Sequence, residues 1–366
     1  MGMMRIGLSS DEQEVYHRKK AERNKLLSNH LRQARESAKL DTCYICHKSC
    51  TSFCNSHSIP QFALKRIAAD GKVYPPVWNS GLPLFDKEFG IRSAGTFQLI
   101  CRECDSTEFQ EYETPENYSS APGSKVLAQI CMKNYLQMVS KRRQELELYK
   151  LEKDLAKSRD VPPHQLMMLE ELTDIATLDL LEYDLGFKRA RQAAKSNHSD
   201  WYYPCYFRRL DYVVPFAFQG PVALLLGLDG EVINDLYNLT QSYHLQEIHI
   251  AVFPLATESI VMMIIDKRHQ RYRKFYRQLK QLPLEDQLAV ISHIIFLYSE
   301  NVFISKNIDQ SVLNNSAFLE TCQTSTTVIA PLPIYGSLLG TARKAFDLSR
   351  RQAVPNLLSK QYALDS

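Results

Sequence analysis

The sequence predicts an α+β protein in which a small cysteine-rich module is joined by helices to a larger α+β domain. Three observations carry this reading. Six of the nine cysteines fall between positions 43 and 104, and four of them form two Cys-x-x-Cys pairs. From Ser124 to Arg159 there is no Gly or Pro, and Val126, Leu127, Ile130, Met132, Tyr135, Leu136 and Met138 recur near the helical period. Between 200 and 266, short apolar runs separated by turn residues read as strands. A chain of 366 residues suits two or three domains of roughly 100–200 residues each. The texture changes place the boundaries at 1–40 (a charged helix), 41–118 (the cysteine module), 119–199 (a helical connector) and 200–366 (the α+β domain).

Composition narrows the class. The hydrophobic fraction of 45% and charged fraction of 23% exclude a disordered chain, a collagen and a coiled-coil rod. A net charge of +3 gives no global field for a polyanion, so any nucleic-acid surface must be a local patch. The best apolar stretch, Ala289 to Ile304, is interrupted by His293, Ser299, Glu300 and Asn301. It reads as a buried helix, and no membrane partner is expected. The N-terminus lacks the apolar core of a signal peptide, so a cytoplasmic location is expected. In a reducing compartment, clustered thiols bind metal rather than pair as disulfides.

The elements follow in order. Residues 10–40 carry no Gly or Pro and are dense in charge, with Ser9, Ser10 or Asp11 as cap. They read as a solvated helix or an arm facing nucleic acid. Residues 41–118 are punctuated by Gly and Pro, which argues for short strands and loops. A second helix, Gln165 to Leu185, is acidic throughout, and Gly186 stands where a C-terminal cap belongs. Tyr212 to Phe218 is a strand that Pro215 demotes to an edge. Val222 to Leu228, Asp229-Gly230 and Glu231 to Ile233 read as a hairpin. Ile248 to Phe253 and Ser259 to Ile265 form a strand pair covered by helices. Glu247 and His249 alternate with apolar residues, as on a half-exposed strand, and His244 and His249 read as edge or core histidines. Leu284 to Phe303 is a core helix. A Thr-rich strand over Thr324 to Ile329 and a helix around Ala342–Arg351 complete the chain.

The chemistry sits in the cysteine module. Cys43, Cys46, Cys101 and Cys104 supply four thiolates, and tetrahedral zinc prefers four S or N ligands. A structural Zn²⁺ is the expected cofactor. Cys50 and Cys54 either replace one pair, join His57 in a second site, or are spare thiols; His47 reads as a surface residue.

The knuckle at Cys43 and Cys46, the stretch His57-Ser58-Ile59-Pro60, and Leu99-Ile100-Cys101-Arg102-Glu103-Cys104 together resemble the HNH endonuclease family. That resemblance covers residues 41–118 alone. It implies a treble-clef, ββα-metal module stapled by zinc, with a second divalent metal, Mg²⁺ or Mn²⁺, at the catalytic centre. It implies that His57 is the base activating water against a phosphodiester. The motif departs from the family. Ser56 replaces the Asp or His before the base, Thr96 stands at the middle Asn, and Asp105 replaces the His after the last cysteine. Asp105 and Glu108, three apart on a helix, would then assist the metal.

A second candidate is the run from Lys267 to Lys280. It contains Lys267, Arg268, Arg271, Arg273, Lys274 and Arg277, with Tyr272, Phe275 and Tyr276 interleaved and no acid. Cations neutralise phosphates and aromatics stack bases, so a nucleic-acid surface is expected. Otherwise the run is solvated or paired with the acidic helix at 165–185. No phosphate-binding loop, serine-hydrolase elbow or His-Glu-x-x-His motif is present.

The sequence therefore leads to a metal-dependent, nuclease-like protein acting on DNA or RNA, with bacterial genome defence as the setting by analogy. The alternative is a non-catalytic zinc module that mediates binding to nucleic acid or to a protein partner.

Overall fold

The computed structural model describes residues 25–75 (27 apart), 88–158, 163–196, 200–299 (237, 239 and 241 apart), 301–324 and 343–365. The first turns of the charged N-terminal helix and the strand over Thr324 to Ile329, past Thr324 itself, lie outside these residues.

A helix over 28–37 (α1) precedes the cysteine module. In the module, β1 (Ser56–His57) pairs antiparallel with β4 (Thr96–Phe97), so His57 faces Thr96 in the ladder. Between them lie α2 (Gln61–Ile67) and the two-residue strands β2 (Lys72–Val73) and β3 (Phe89–Gly90). Then α3 (Arg102–Glu108) begins directly after the second Cys-x-x-Cys pair opens.

Two long helices follow, α4 (Ser124–Ser158) and α5 (Pro163–Lys195), packed side by side along much of their length. The start of α4 matches the sequence reading. The end of α5 corrects it. Gly186 is no cap, because the helix runs on to Lys195. The glycine answers a packing demand instead. A Cβ at Gly186 would sit 2.5 Å from the ring of Tyr135 on α4, which is buried. Gly186→Ala should therefore lose stability, although alanine is the better helix former by about 1 kcal/mol. Overpacking costs about 1–3 kcal/mol, so a net loss of up to about 2 kcal/mol is expected in a urea melt.

A five-stranded sheet has the order β5-β8-β7-β6-β9, antiparallel throughout. Its strands are β5 (Tyr202–Leu210), β6 (Phe216–Val222), β7 (Ile248–Pro254), β8 (Ser259–Asp266) and β9 (Val302–Ile304). The β7–β8 pair is the one expected. Strand β6 starts after Pro215 and lies between β7 and β9, so it is not an edge. The Asp229-Gly230 segment is a tight turn, with Gly230 at φ +76°, but a single bridge between Leu226 and Val232 replaces the hairpin. The predicted core helix is shorter: α7 (Leu284–Tyr298) stops, and the chain returns as β9.

The sheet is covered on both faces. Ala251, Phe253, Ile260, Met262 and Ile264 share a core with α4, the end of α5 and the cysteine module. The alternate residues Ile248, Ile250, Val252, Val261, Met263 and Ile265 face the other way, onto α6 (Arg273–Gln281), α7 and α8 (Ser316–Thr324). This period of two follows from the pleat. All residues of β7 and β8 are buried, so the half-exposed reading of Glu247 and His249 is corrected: both are interior. Fully burying one such Ile, Met or Phe contributes about 1.5–3 kcal/mol.

Polar rivets cross between segments distant in the chain. Asn301 accepts from the Ser58 hydroxyl at 3.0 Å and donates to the Gln219 carbonyl at 2.7 Å. Arg189 on α5 grips Asp266 at the end of β8 at 2.6 Å and lies over the Trp201 ring. No described helix is long and apolar enough to cross a membrane.

Candidate metal centre

The first knuckle is a tight turn. His47 donates its backbone N–H to the Cys43 carbonyl at 2.8 Å, and His47 itself takes a left-handed φ of 58° to close it. The Tyr44 N–H reaches the Leu99 carbonyl at 2.9 Å, which draws the knuckle to the segment before Cys101. Cys101 caps α3: its sulfur accepts from the Cys104 N–H at 3.5 Å. The Cys101 N–H in turn points at the Cys43 sulfur, 3.3 Å away.

The four sulfurs of Cys43, Cys46, Cys101 and Cys104 lie within 4.8 Å of one another, and the Cys46 and Cys101 sulfurs are 4.0 Å apart. A tetrahedral ion with metal–sulfur bonds of about 2.3 Å needs sulfur–sulfur edges of about 3.8 Å. The cluster therefore fits a metal ion such as zinc with only small movements. Its electrostatics ask for one. Burial raises the Cys43 thiol, but backbone N–H groups of Cys46, Cys101 and Ile45 outweigh it and bring the pKa down to about 7. Cys104 is pushed far upward by burial and by its sulfur neighbours. Four thiolates at this spacing cannot all ionise without a cation among them. Among the described residues this is the one group of three or more His, Cys, Asp or Glu placed to share an ion.

Cys50 and Cys54 stand outside it. The Cys50 thiol donates to the Ser52 carbonyl at 2.8 Å. The Cys54 thiol donates to Asp105 at 3.3 Å, and burial together with that carboxylate pushes its pKa up to about 11.

The residues expected to form a catalytic centre diverge. His57 on β1 is largely buried, and its Nε2 lies 2.9 Å from the Ile91 carbonyl. Burial lowers its pKa, which keeps the ring neutral. Asp105 on α3 accepts from the Ser56 hydroxyl at 2.7 Å and from the Lys133 ammonium at 2.9 Å. Burial raises the Asp105 pKa, but Lys133 and these hydrogen bonds outweigh it, so the group stays an anion. Glu108 turns elsewhere, to Arg191 at 3.2 Å and Lys195 at 3.7 Å on α5. Glu108 is thus engaged away from Asp105, whose charge acts on His57.

Lys133 is the residue the sequence reading missed. It is 1% exposed, donates also to the Ser56 hydroxyl at 2.8 Å, and lies 4.0 Å above the Phe109 ring. A lone Lys inside the apolar run of α4 was the available signal. A buried ammonium must have an anion, and Asp105 is that anion.

The basic run divides as well. Lys267 pairs with Asp200, Arg268 with Asp266, and Lys274 with Asp229 and Glu231. Arg271 donates to Asn234, Tyr243 and the His244 carbonyl. The acids that these cations meet come from loops and strand ends, not from the acidic helix at 165–185. Phe275 and Leu279 face the core, while Arg273, Arg277 and Lys280 are exposed. Arg273 and Arg277 form no ion pair with the described residues, and Tyr276 and the exposed Tyr203 lie beside them. No protein-family model matches the chain, and neither a curated protein nor a solved structure matches it.

Proposed function

We propose that this chain is a zinc-stapled nucleic-acid-binding protein whose cysteine module is a treble-clef scaffold rather than a catalyst. Support for the treble clef is the order of parts: a knuckle, an antiparallel pair β1–β4, and a helix whose first turn carries the second thiol pair. Zinc is the ion that four-thiolate sites of this size favour. The observation that carries the non-catalytic reading is the Lys133–Asp105 pair. A hydrolytic centre needs Asp105 free for a divalent metal; here an ammonium already neutralises it. Binding would fall to the open Arg273, Arg277 and Tyr276 surface of α6.

One observation favours the second reading, a metal-dependent nuclease. His57 is neutral, and one ring nitrogen is held by a backbone carbonyl, as an oriented base requires. The two readings separate in one experiment. Purified protein is incubated with plasmid DNA and single-stranded RNA in Mg²⁺ or Mn²⁺, beside His57→Ala. The scaffold reading expects no cleavage by either protein. It also expects oligonucleotide binding that weakens about tenfold in Arg273→Ala/Arg277→Ala, with a shallower salt dependence. Cleavage that disappears in a His57→Ala protein still holding zinc would establish the nuclease instead.

A further inference from the structure

A cavity of about 510 Å³ opens between α5 and the turn that follows β8, away from the cysteine module. That volume is in the range of small-ligand sites, about 300–1,000 Å³. Tyr135, Tyr183, Glu247, His269, Arg268 and Arg271 line it.

Its polar groups are arranged unusually. Glu247 is only 9% exposed, and no Lys or Arg among the described residues pairs with it. Tyr135 lines the same cavity beside it. Burial first, then the charges of Glu182 and Asp179, push the Glu247 pKa up to about 8. A carboxyl kept protonated offers a donor and an acceptor side by side. Such a pair matches the amide- or amidine-type edge of a nucleobase. Gly186 belongs to the same construction, since its missing Cβ lets Tyr135 lie against α5 at the cavity wall. The rings of Tyr135 and Tyr183, 6.4 Å apart, give the cavity an aromatic wall.

Two guanidinium groups also line the cavity. Arg268 is 60% exposed and, among the described residues, engages Asp266 alone. Arg271 stacks 4.5 Å from the Tyr243 ring. Planar guanidinium groups with spare N–H donors suit phosphate oxygens. Glu182 at the cavity lies 3.1 Å from the His244 ring nitrogen.

We propose that this cavity binds a free mononucleotide, with its base against Glu247 and its phosphate against Arg268 and Arg271. The site is independent of the metal centre and of the α6 surface. The test is calorimetric titration of the full metal-bound chain with AMP, GMP, CMP and UMP, beside inorganic phosphate and the four nucleosides. At least one mononucleotide should bind saturably with a Kd below about 100 μM. Phosphate and nucleosides should bind about tenfold more weakly or not at all. Glu247→Leu and Arg268→Gln should each weaken the favoured nucleotide about tenfold. If Glu247→Leu does not fold, the Arg268→Gln arm decides alone. The proposal is overturned if no mononucleotide binds at about 1 mM. It is also overturned if phosphate binds as tightly as any nucleotide, or if a folded variant binds like wild type.

Discussion

Replacing Cys104 with serine is expected to empty the four-thiolate site and collapse the module built on it. The purified wild-type chain should carry one zinc per protein by elemental analysis, and Cys104→Ser should carry almost none. The effect is large because the ion replaces a missing core. The strands β1 to β4 have two residues each, too short to hold themselves together. Cys43 and Cys104 are also buried, so the metal-free site would leave polar thiols packed against one another. Structural zinc contributes on the order of 10 kcal/mol in small domains, and only part of that must be lost here for the module to open. A fall in Tm of more than about 10 °C is expected, and a strong chelator should reproduce it in wild type. Cys50→Ser is the matched control, since that thiol meets only the Ser52 carbonyl and lies outside the cluster. Its zinc content and Tm should not move. Full zinc occupancy in Cys104→Ser would remove this residue from the ligand set.

The second large effect belongs to Lys133. Lys133→Met keeps length and apolar bulk but deletes the charge. Asp105 is then left largely buried without its cation, though Ser56 and Cys54 still donate to it. Breaking one side of a buried pair costs about 3–5 kcal/mol, and a loss of that size should appear in denaturant midpoints. Lys133→Met/Asp105→Asn should recover much of it, because replacing both partners removes the stranded charge. Recovery without any gain of divalent-metal cleavage would fit a structural pair. Cleavage appearing in Lys133→Met would mean that the ammonium had been masking a metal position. An unchanged midpoint in Lys133→Met would show that the pair contributes little.

Parts of this architecture are legible in the chain because their signals are local. The Cys-x-x-Cys pairs each sit within one turn, so their spacing alone places two sulfurs together. The apolar runs of β7 and β8 and the unbroken stretch of α4 announce themselves by composition. What stays hidden depends on partners far away in sequence. Gly186 looks like a helix stop until Tyr135, from another helix, occupies the space where its Cβ would be. Strand β5, with Pro204, Arg208 and Arg209 in it, has no clean pattern; its place comes from pairing with β8. Asp105 and Glu108 share a helix at the right spacing for joint work, but cations on two different helices pull them apart. Glu247 alternates like an exposed strand residue, and is buried because α4 and α5 close over it.

The shared core has a consequence for the order in which the protein is made. Ile59, Ala63 and Leu64 of the cysteine module belong to the same apolar cluster as Phe253, Ile260 and Met262 of the sheet. Arg66 on α2 is likewise satisfied by the carbonyls of Leu255 and Ala256, nearly 190 residues downstream. Ribosomes add about 5–20 residues per second. The module's α2 therefore leaves the ribosome about 10–40 s before the strands that cover it. During that interval its apolar flank faces solvent, and α4 is the first surface that can shield it. Metal binding, which needs only residues 43–104, can be complete before the sheet exists. The ion would then hold the nascent N-terminal part in register while it waits for its partner.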